Sequence, residues 1–129
     1  MLVDMRTNAA IRDQVHSGLA ALRVQAREIW GADNLTLPMI VLRLTVGVGD
    51  LARLARDGEP DVQSYVEGKG PLVVDTRAQD AWRRELKKEL GNIIFSTIRW
   101  IDDLGLDVLE CLDLAIEAQE KFAKSGRPR

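Results

Sequence analysis

Residues 76–104 read TRAQDAWRRELKKELGNIIFSTIRWIDDL. Trp82, Leu86, Leu90, Ile93, Thr97, Ile101 and Leu104 recur there at intervals of three and four, which lays one apolar stripe along a 3.6-residue period. The charges fall between members of the stripe, so the stretch predicts an amphipathic helix over roughly 76–104. Asp75 or Thr76 is placed to cap its start, and Gly105 to stop it.

Toward the C-terminus, Asp107 predicts the N-cap of a last helix, with Val108, Leu112, Ala115, Gln119 and Phe122 on one face and a tail at 125–129. Toward the N-terminus, the pattern breaks at Gly68-Lys69-Gly70-Pro71 and again at Asp57-Gly58-Glu59-Pro60. Between these breaks lies a short element around 62–66, and Leu72-Val73-Val74 reads as an extended linker because it has no strand to pair with. A helix over about 36–57 precedes them, with Asn34 or Thr36 as cap and Pro38 tolerated in the first turn. It carries Gly47 and Gly49, each costing about 1 kcal/mol relative to alanine in a helix interior, so packing or function must compensate. A first helix follows from Ile11, Val15, Leu19, Leu22, Ala26 and Ile29 and ends near Trp30-Gly31. The fold class expected is all-α, a four-helix bundle in one domain spanning 1–129.

Composition narrows the function classes. The chain of 129 residues is 46% hydrophobic and 29% charged, outside the signature of disorder, and no apolar run is long enough for a bilayer. Eighteen Lys and Arg against 20 Asp and Glu leave a net charge of -2, which offers nucleic acid and anionic membrane no general attraction. One cysteine, Cys111, excludes an intrachain disulfide and reads as a small core residue. The residues after Met1 lack a basic start and an apolar core, so a cytoplasmic location is expected. His16 has no second ligand nearby and reads as an exposed or boundary residue. Trp30, Trp82 and Trp100 sit in apolar helical spacing that suits packing.

The order of several short pieces adds information. Asn34-Leu35 leads into a helix with Val48-Gly49-Asp50-Leu51-Ala52; then come Glu89-Leu90-Gly91-Asn92-Ile93-Ile94-Phe95, Leu104-Gly105-Leu106-Asp107, and Ala115-Ile116-Glu117-Ala118. Over roughly residues 30–122 this resembles the MazG-like all-α nucleoside triphosphate pyrophosphohydrolases. The resemblance implies a Mg²⁺-dependent reaction that splits a nucleoside triphosphate into monophosphate and pyrophosphate. An ExxE or ExxD pair puts two carboxylates on one helical face, and two such helices make an oxygen-rich pocket for Mg²⁺.

Carried over position by position, the first pair falls on Gly47 and Asp50 with Val46 beside them, and the second on Glu89 and Asn92 with Lys88 before them. The resemblance therefore implies Asp50 and Glu89 as the catalytic acids and Asp50, Glu89 and Asn92 as metal ligands. Trp30 is implied as a base contact. Gln119 and Phe122 replace a lysine and an asparagine of the family, and Lys121 and Lys124 stand by as substitute phosphate contacts. With this depleted site, hydrolysis is expected to be weak or lost. The other readings are a catalytically inactive nucleotide-binding protein and a helical protein-interaction module. Glu85, one turn before Glu89, is a further carboxylate that reads more simply as a solvated charge. Gly47 and Gly49 also permit the close approach of another helix. Family members build their site between subunits, so a homodimer or homotetramer is implied.

Overall fold

The computed structural model describes residues 4–57 and 76–126, and these form four helices with no strand among them. They are α1 (Ala9–Trp30), α2 (Leu37–Asp57), α3 (Thr76–Asp103) and α4 (Val108–Lys124). The all-α expectation holds, and the boundaries lie within a residue or two of those read from periodicity. The expected element near 62–66 and the linker at 72–74 lie outside the described residues. No helix among the described residues is long and apolar enough to cross a membrane.

Local chemistry explains where the helices begin and end. Asn8 accepts a hydrogen bond from the Ile11 N–H and starts α1, while Gly31, at φ 85°, closes it by donating to the Arg27 carbonyl. Asp107 does the same at α4, where its carboxylate accepts from the Glu110 N–H at 3.1 Å. Between α3 and α4, Leu106 N–H reaches back to the Ile101 carbonyl and Gly105 N–H to that of Asp102. That 6→1 and 5→2 pair needs a left-handed residue at its corner, and Gly105 supplies φ 71° without a Cβ penalty.

The chain packs as two compact units. The terminal unit comprises Met1–Thr36 and Phe95–Arg129, and the central unit Leu37–Ile94; α3 gives its earlier turns to the second and its last turns to the first. In the terminal unit Ala26, Ile98, Trp100, Val108 and Leu109 are buried. Paired charges surround them. Arg12 grips Asp113 with two hydrogen bonds of 2.9 and 2.8 Å, tying α1 to α4, and Arg6 reaches Glu120 at 2.6 Å. Hydrogen bonding to Arg12 holds the Asp113 carboxyl below its usual 3.8.

The central unit is an α2 and early-α3 pair. The Trp82 indole N–H donates to the Leu54 carbonyl at 3.0 Å, and a Cβ on Gly47 would lie 3.4 Å from Ile93 Cγ1. High numbers on one helix meet low numbers on the other, so the two run antiparallel. Ile40 is the one buried hydrophobic side chain among the described residues of this unit.

Three side-chain expectations change. The stripe assigned to α4 is rotated: Leu112 and Phe122 are exposed, as are Ala115 and Gln119, while Leu109 is buried and Asp113 and Ile116 half-buried. The inward line at 109, 113, 116 includes a charge that periodicity alone discards, and Arg12 is what makes it tolerable there. On α1 the stripe ends early, since Ile29 is exposed where the helix runs out. Trp30 is 62% exposed, whereas Trp100 is buried and Trp82 half-buried, so packing accounts for two of the three tryptophans.

Candidate functional site

Of the residues expected to hold a metal, Glu89 lies on the side of α3 that meets α2 and Asp50 is half-buried on α2, while Asn92 is exposed. On early α3 the half-buried positions are Trp82, Leu86, Glu89 and Ile93, spaced four, three and four apart. Leu90, which the sequence stripe places inward, is exposed instead. A glutamate has taken an apolar slot. Its side chain is only 13% exposed, against 54% for the neighbouring Lys88.

On α2, Asp50 is half-buried next to Leu51 on the side that meets α3. Asp50 lies three residues beyond Gly47, and Glu89 four residues before Ile93. Both therefore step away from the Gly47 and Ile93 contact in the same direction along the antiparallel pair, by about 4.5 and about 6 Å at 1.5 Å per residue. They stand at one level within a fraction of a turn. Asn92, adjacent to that contact, is exposed.

Each carboxylate has a cation from its own helix. Arg53 Nη2 lies 3.4 Å from Asp50, and Lys88 Nζ lies 3.6 Å from Glu89 and 2.6 Å from Glu85. The Glu85 hydrogen bond raises the Lys88 ammonium above its ordinary 10.5, and Lys88 in turn lowers the Glu85 carboxyl. Glu85 is thus a surface partner of Lys88, as its solvated reading expects. Arg53 and Lys88 are themselves largely exposed, and exposed pairs at such distances contribute little to stability.

Among the described residues no three His, Cys, Asp or Glu side chains gather as a metal cluster. Two carboxylates from facing helices still suit one hard cation of the Mg²⁺ kind. That ion keeps several waters and is commonly held by one or two carboxylates together with substrate phosphates. The donor set does not suit two such ions, because Gly47 and Val46 offer no oxygen ligand and Lys88 brings the wrong charge.

Trp30, Lys121 and Lys124 belong to the terminal unit. Lys121 pairs with Glu117 at 3.1 Å one turn earlier, and both lysines lie in the last turn of α4, where positive charge also complements the helix dipole. Trp30 presents its ring to solvent with the Arg99 guanidinium 5.7 Å from its centroid, a cation–π distance. His16 is exposed and Cys111 half-buried.

Sequence reading missed a second polar cluster in this unit. Arg27 Nε and Nη2 donate to Asp102 Oδ2 at 3.2 and 2.9 Å, and Arg23 lies 3.7 Å from the same carboxylate. Asp103 has no exposed side-chain surface; Arg27 Nη2 comes within 2.7 Å of it and Arg99 Nε within 3.7 Å. The 2.7 Å approach pairs the charges off the N–H axis, so neither Asp103 oxygen gains an aligned hydrogen bond. Arg27 also donates to the Asp33 carbonyl, joining the end of α1 to the following loop and to α3. An open cavity of ≈ 510 Å³ runs beside the cluster, lined by Ala20, Arg23, Val24, Arg27, Glu28 and Asp102. The available signal was Arg23 and Arg27 flanking the small inward Ala26, with Asp102-Asp103 closing α3.

No protein-family model matches the chain, and no curated protein or solved structure does either.

Proposed function

We propose that this chain is a divergent MazG-like protein that takes up a nucleotide together with Mg²⁺ on the central unit, with hydrolysis to monophosphate and pyrophosphate weakened or lost. The observation that carries the reading is Glu89 in an inward, apolar slot of α3 at the level of Asp50 on α2. A carboxylate there opposes packing, and opposing like charges are disfavoured unless a cation joins them. Mg²⁺ carried by a triphosphate supplies that cation, and Asn92 adds an amide oxygen at the rim. Arg53 and Lys88, released from Asp50 and Glu89, then face the phosphates. Trp30, Lys121 and Lys124, which the resemblance implies, belong to the terminal unit and take no part in this reading. The protein acts in the cytoplasm as a homodimer or homotetramer.

Calorimetry against a panel of nucleoside triphosphates, with and without Mg²⁺, tests binding, and pyrophosphate release tests turnover. Heat that requires metal and disappears in Glu89→Gln supports the reading; no heat with any nucleotide sinks it. Gly47→Glu combined with Asn92→Asp restores the missing acids, and pyrophosphate release is expected to rise in that variant. A second reading, a helical interaction module, is favoured by the exposed apolar side chains of α2. Partners that copurify with the chain while no nucleotide binds would decide for it.

A further inference from the structure

Three acids of the central unit, Asp50, Glu85 and Glu89, stand with three cations, Arg53, Arg84 and Lys88, so among the described residues the cluster is balanced without any metal. The charges converge on Glu85: Lys88 lowers its carboxyl most, and Arg84 and Arg53, the latter from α2, add to the effect. Glu85 and Glu89 lie one turn apart on α3, a spacing at which like charges repel. Lys88 relieves that repulsion. Its Nζ donates to Glu85 Oε2 at 2.6 Å and lies 3.6 Å from Glu89 Oε1, so one ammonium serves both carboxylates. Water reaches Glu85, whose side chain is 52% exposed, whereas the more enclosed Glu89 depends on this neighbour for its countercharge.

We propose that Lys88 couples metal to phosphate at this site: it keeps a bare divalent ion away from Glu89 and yields when a polyphosphate arrives with the ion. The inference rests on the nucleotide reading above and adds to it which ligand the site prefers. A bare dication placed against Glu89 meets the Lys88 ammonium at close range and leaves a balanced cluster with excess positive charge. The same ion joined to a triphosphate carries a net negative charge, and the non-bridging oxygens offer the displaced ammonium a new acceptor. Lys88 has a long, flexible side chain that is 54% exposed, so a change of rotamer takes Nζ out from between Glu85 and Glu89 without moving α3. Polyphosphate without metal gains little, because Glu89 then loses its countercharge and faces another anion. Linkage makes the coupling reciprocal, so whatever phosphate adds to metal affinity, metal adds to phosphate affinity. Lys88 is thus a specificity residue, selecting the complex over either component alone.

Two probes separate the constants: Mn²⁺ alone, whose free concentration electron paramagnetic resonance reads, and Mn²⁺ with inorganic tripolyphosphate, the part that every nucleoside triphosphate shares. The full wild-type chain is expected to bind the complex, by calorimetry, about tenfold more tightly than Mn²⁺ alone. Lys88→Met keeps an unbranched helix-forming side chain and removes the charge. It should tighten Mn²⁺ alone by roughly threefold and weaken the complex by a similar factor. Lys88→Arg, which retains the charge, should keep the wild-type order. Lys87→Met, the same loss of charge at the exposed neighbouring position, should move neither constant by more than about twofold. Shifts of one sign or none in Lys88→Met, or the same opposed shifts in Lys87→Met, overturn the coupling and leave the nucleotide reading standing. If the wild-type chain binds no complex and Lys88→Met binds no Mn²⁺, the nucleotide reading itself falls and the coupling with it.

Discussion

The two units differ in what they do with their charges and their hydrophobics. In the terminal unit, five apolar side chains are buried and the flanking arginines, Arg6, Arg12 and Arg27, each hold a carboxylate at 2.9 Å or less. In the central unit the arrangement is inverted: a glutamate occupies an inward slot, and leucines and valines of α2 face outward. The first pattern is what stability alone produces. The second departs from it where a glutamate lies inward and where apolar side chains of α2 lie outward, and the first of these departures is what the proposed function explains.

The sharpest way to break this contrast is to attack the terminal unit's charge network. Asp103→Ala leaves Arg27 and Arg99 without their buried partner, and a loss of roughly 3–5 kcal/mol is expected in urea unfolding. A loss under 1 kcal/mol would mean that this network is no more structural than the surface pairs. In the central unit the sign should reverse. Glu89→Leu completes the line of Trp82, Leu86 and Ile93, so a gain on the order of 1 kcal/mol is expected, together with loss of any metal-dependent nucleotide binding.

Glycines sharpen the comparison at a smaller scale. Gly18 and Gly49 both lie inside helices with nothing within 4 Å of an added Cβ. Alanine at Gly18 in the terminal unit and at Gly49 in the central unit should each stabilise the chain by about 0.5–1 kcal/mol in urea unfolding. A loss of stability at either position would show that the space beside that glycine is filled.

The weakest effect is acid sensitivity. Asp4 and Asp113 have carboxyls lowered from 3.8 by Arg6 and Arg12. A lowered folded value binds fewer protons than the unfolded chain, so this stabilisation is present above pH 3.8 and fades as the pH falls through the lowered values. Arg12→Gln should flatten the acid limb of the stability curve below pH 4. An unchanged limb would show that the pair is immaterial.

Much of the fold was legible because helix ends are local chemistry. Asp107, Gly105 and Gly31 act through hydrogen bonds and backbone angles within a few residues of themselves, so the sequence contains everything that determines them. Which face turns inward is not local. Leu90 and Glu89 are neighbours, and only the antiparallel contacts of Leu54 with Trp82 and Gly47 with Ile93 decide that the acid goes in and the leucine out. The same applies to Asp113 on α4, which periodicity excludes and Arg12, distant in sequence, admits. Asp50 and Glu89 were named from resemblance, while their common level comes from that register. The cluster of Arg27, Asp102 and Asp103 was missed because a buried charge leaves no mark in an apolar pattern.

The role proposed for Asp50 and Glu89 is to hold a cation delivered with phosphates. Isothermal calorimetry of the wild-type chain and Glu89→Gln with nucleoside triphosphates, run with Mg²⁺ and with EDTA, tests it most directly. Metal-dependent heat in the wild type that falls at least tenfold in affinity in Glu89→Gln is the predicted result. Binding that ignores both the metal and the substitution, or no binding to any nucleotide, would contradict it.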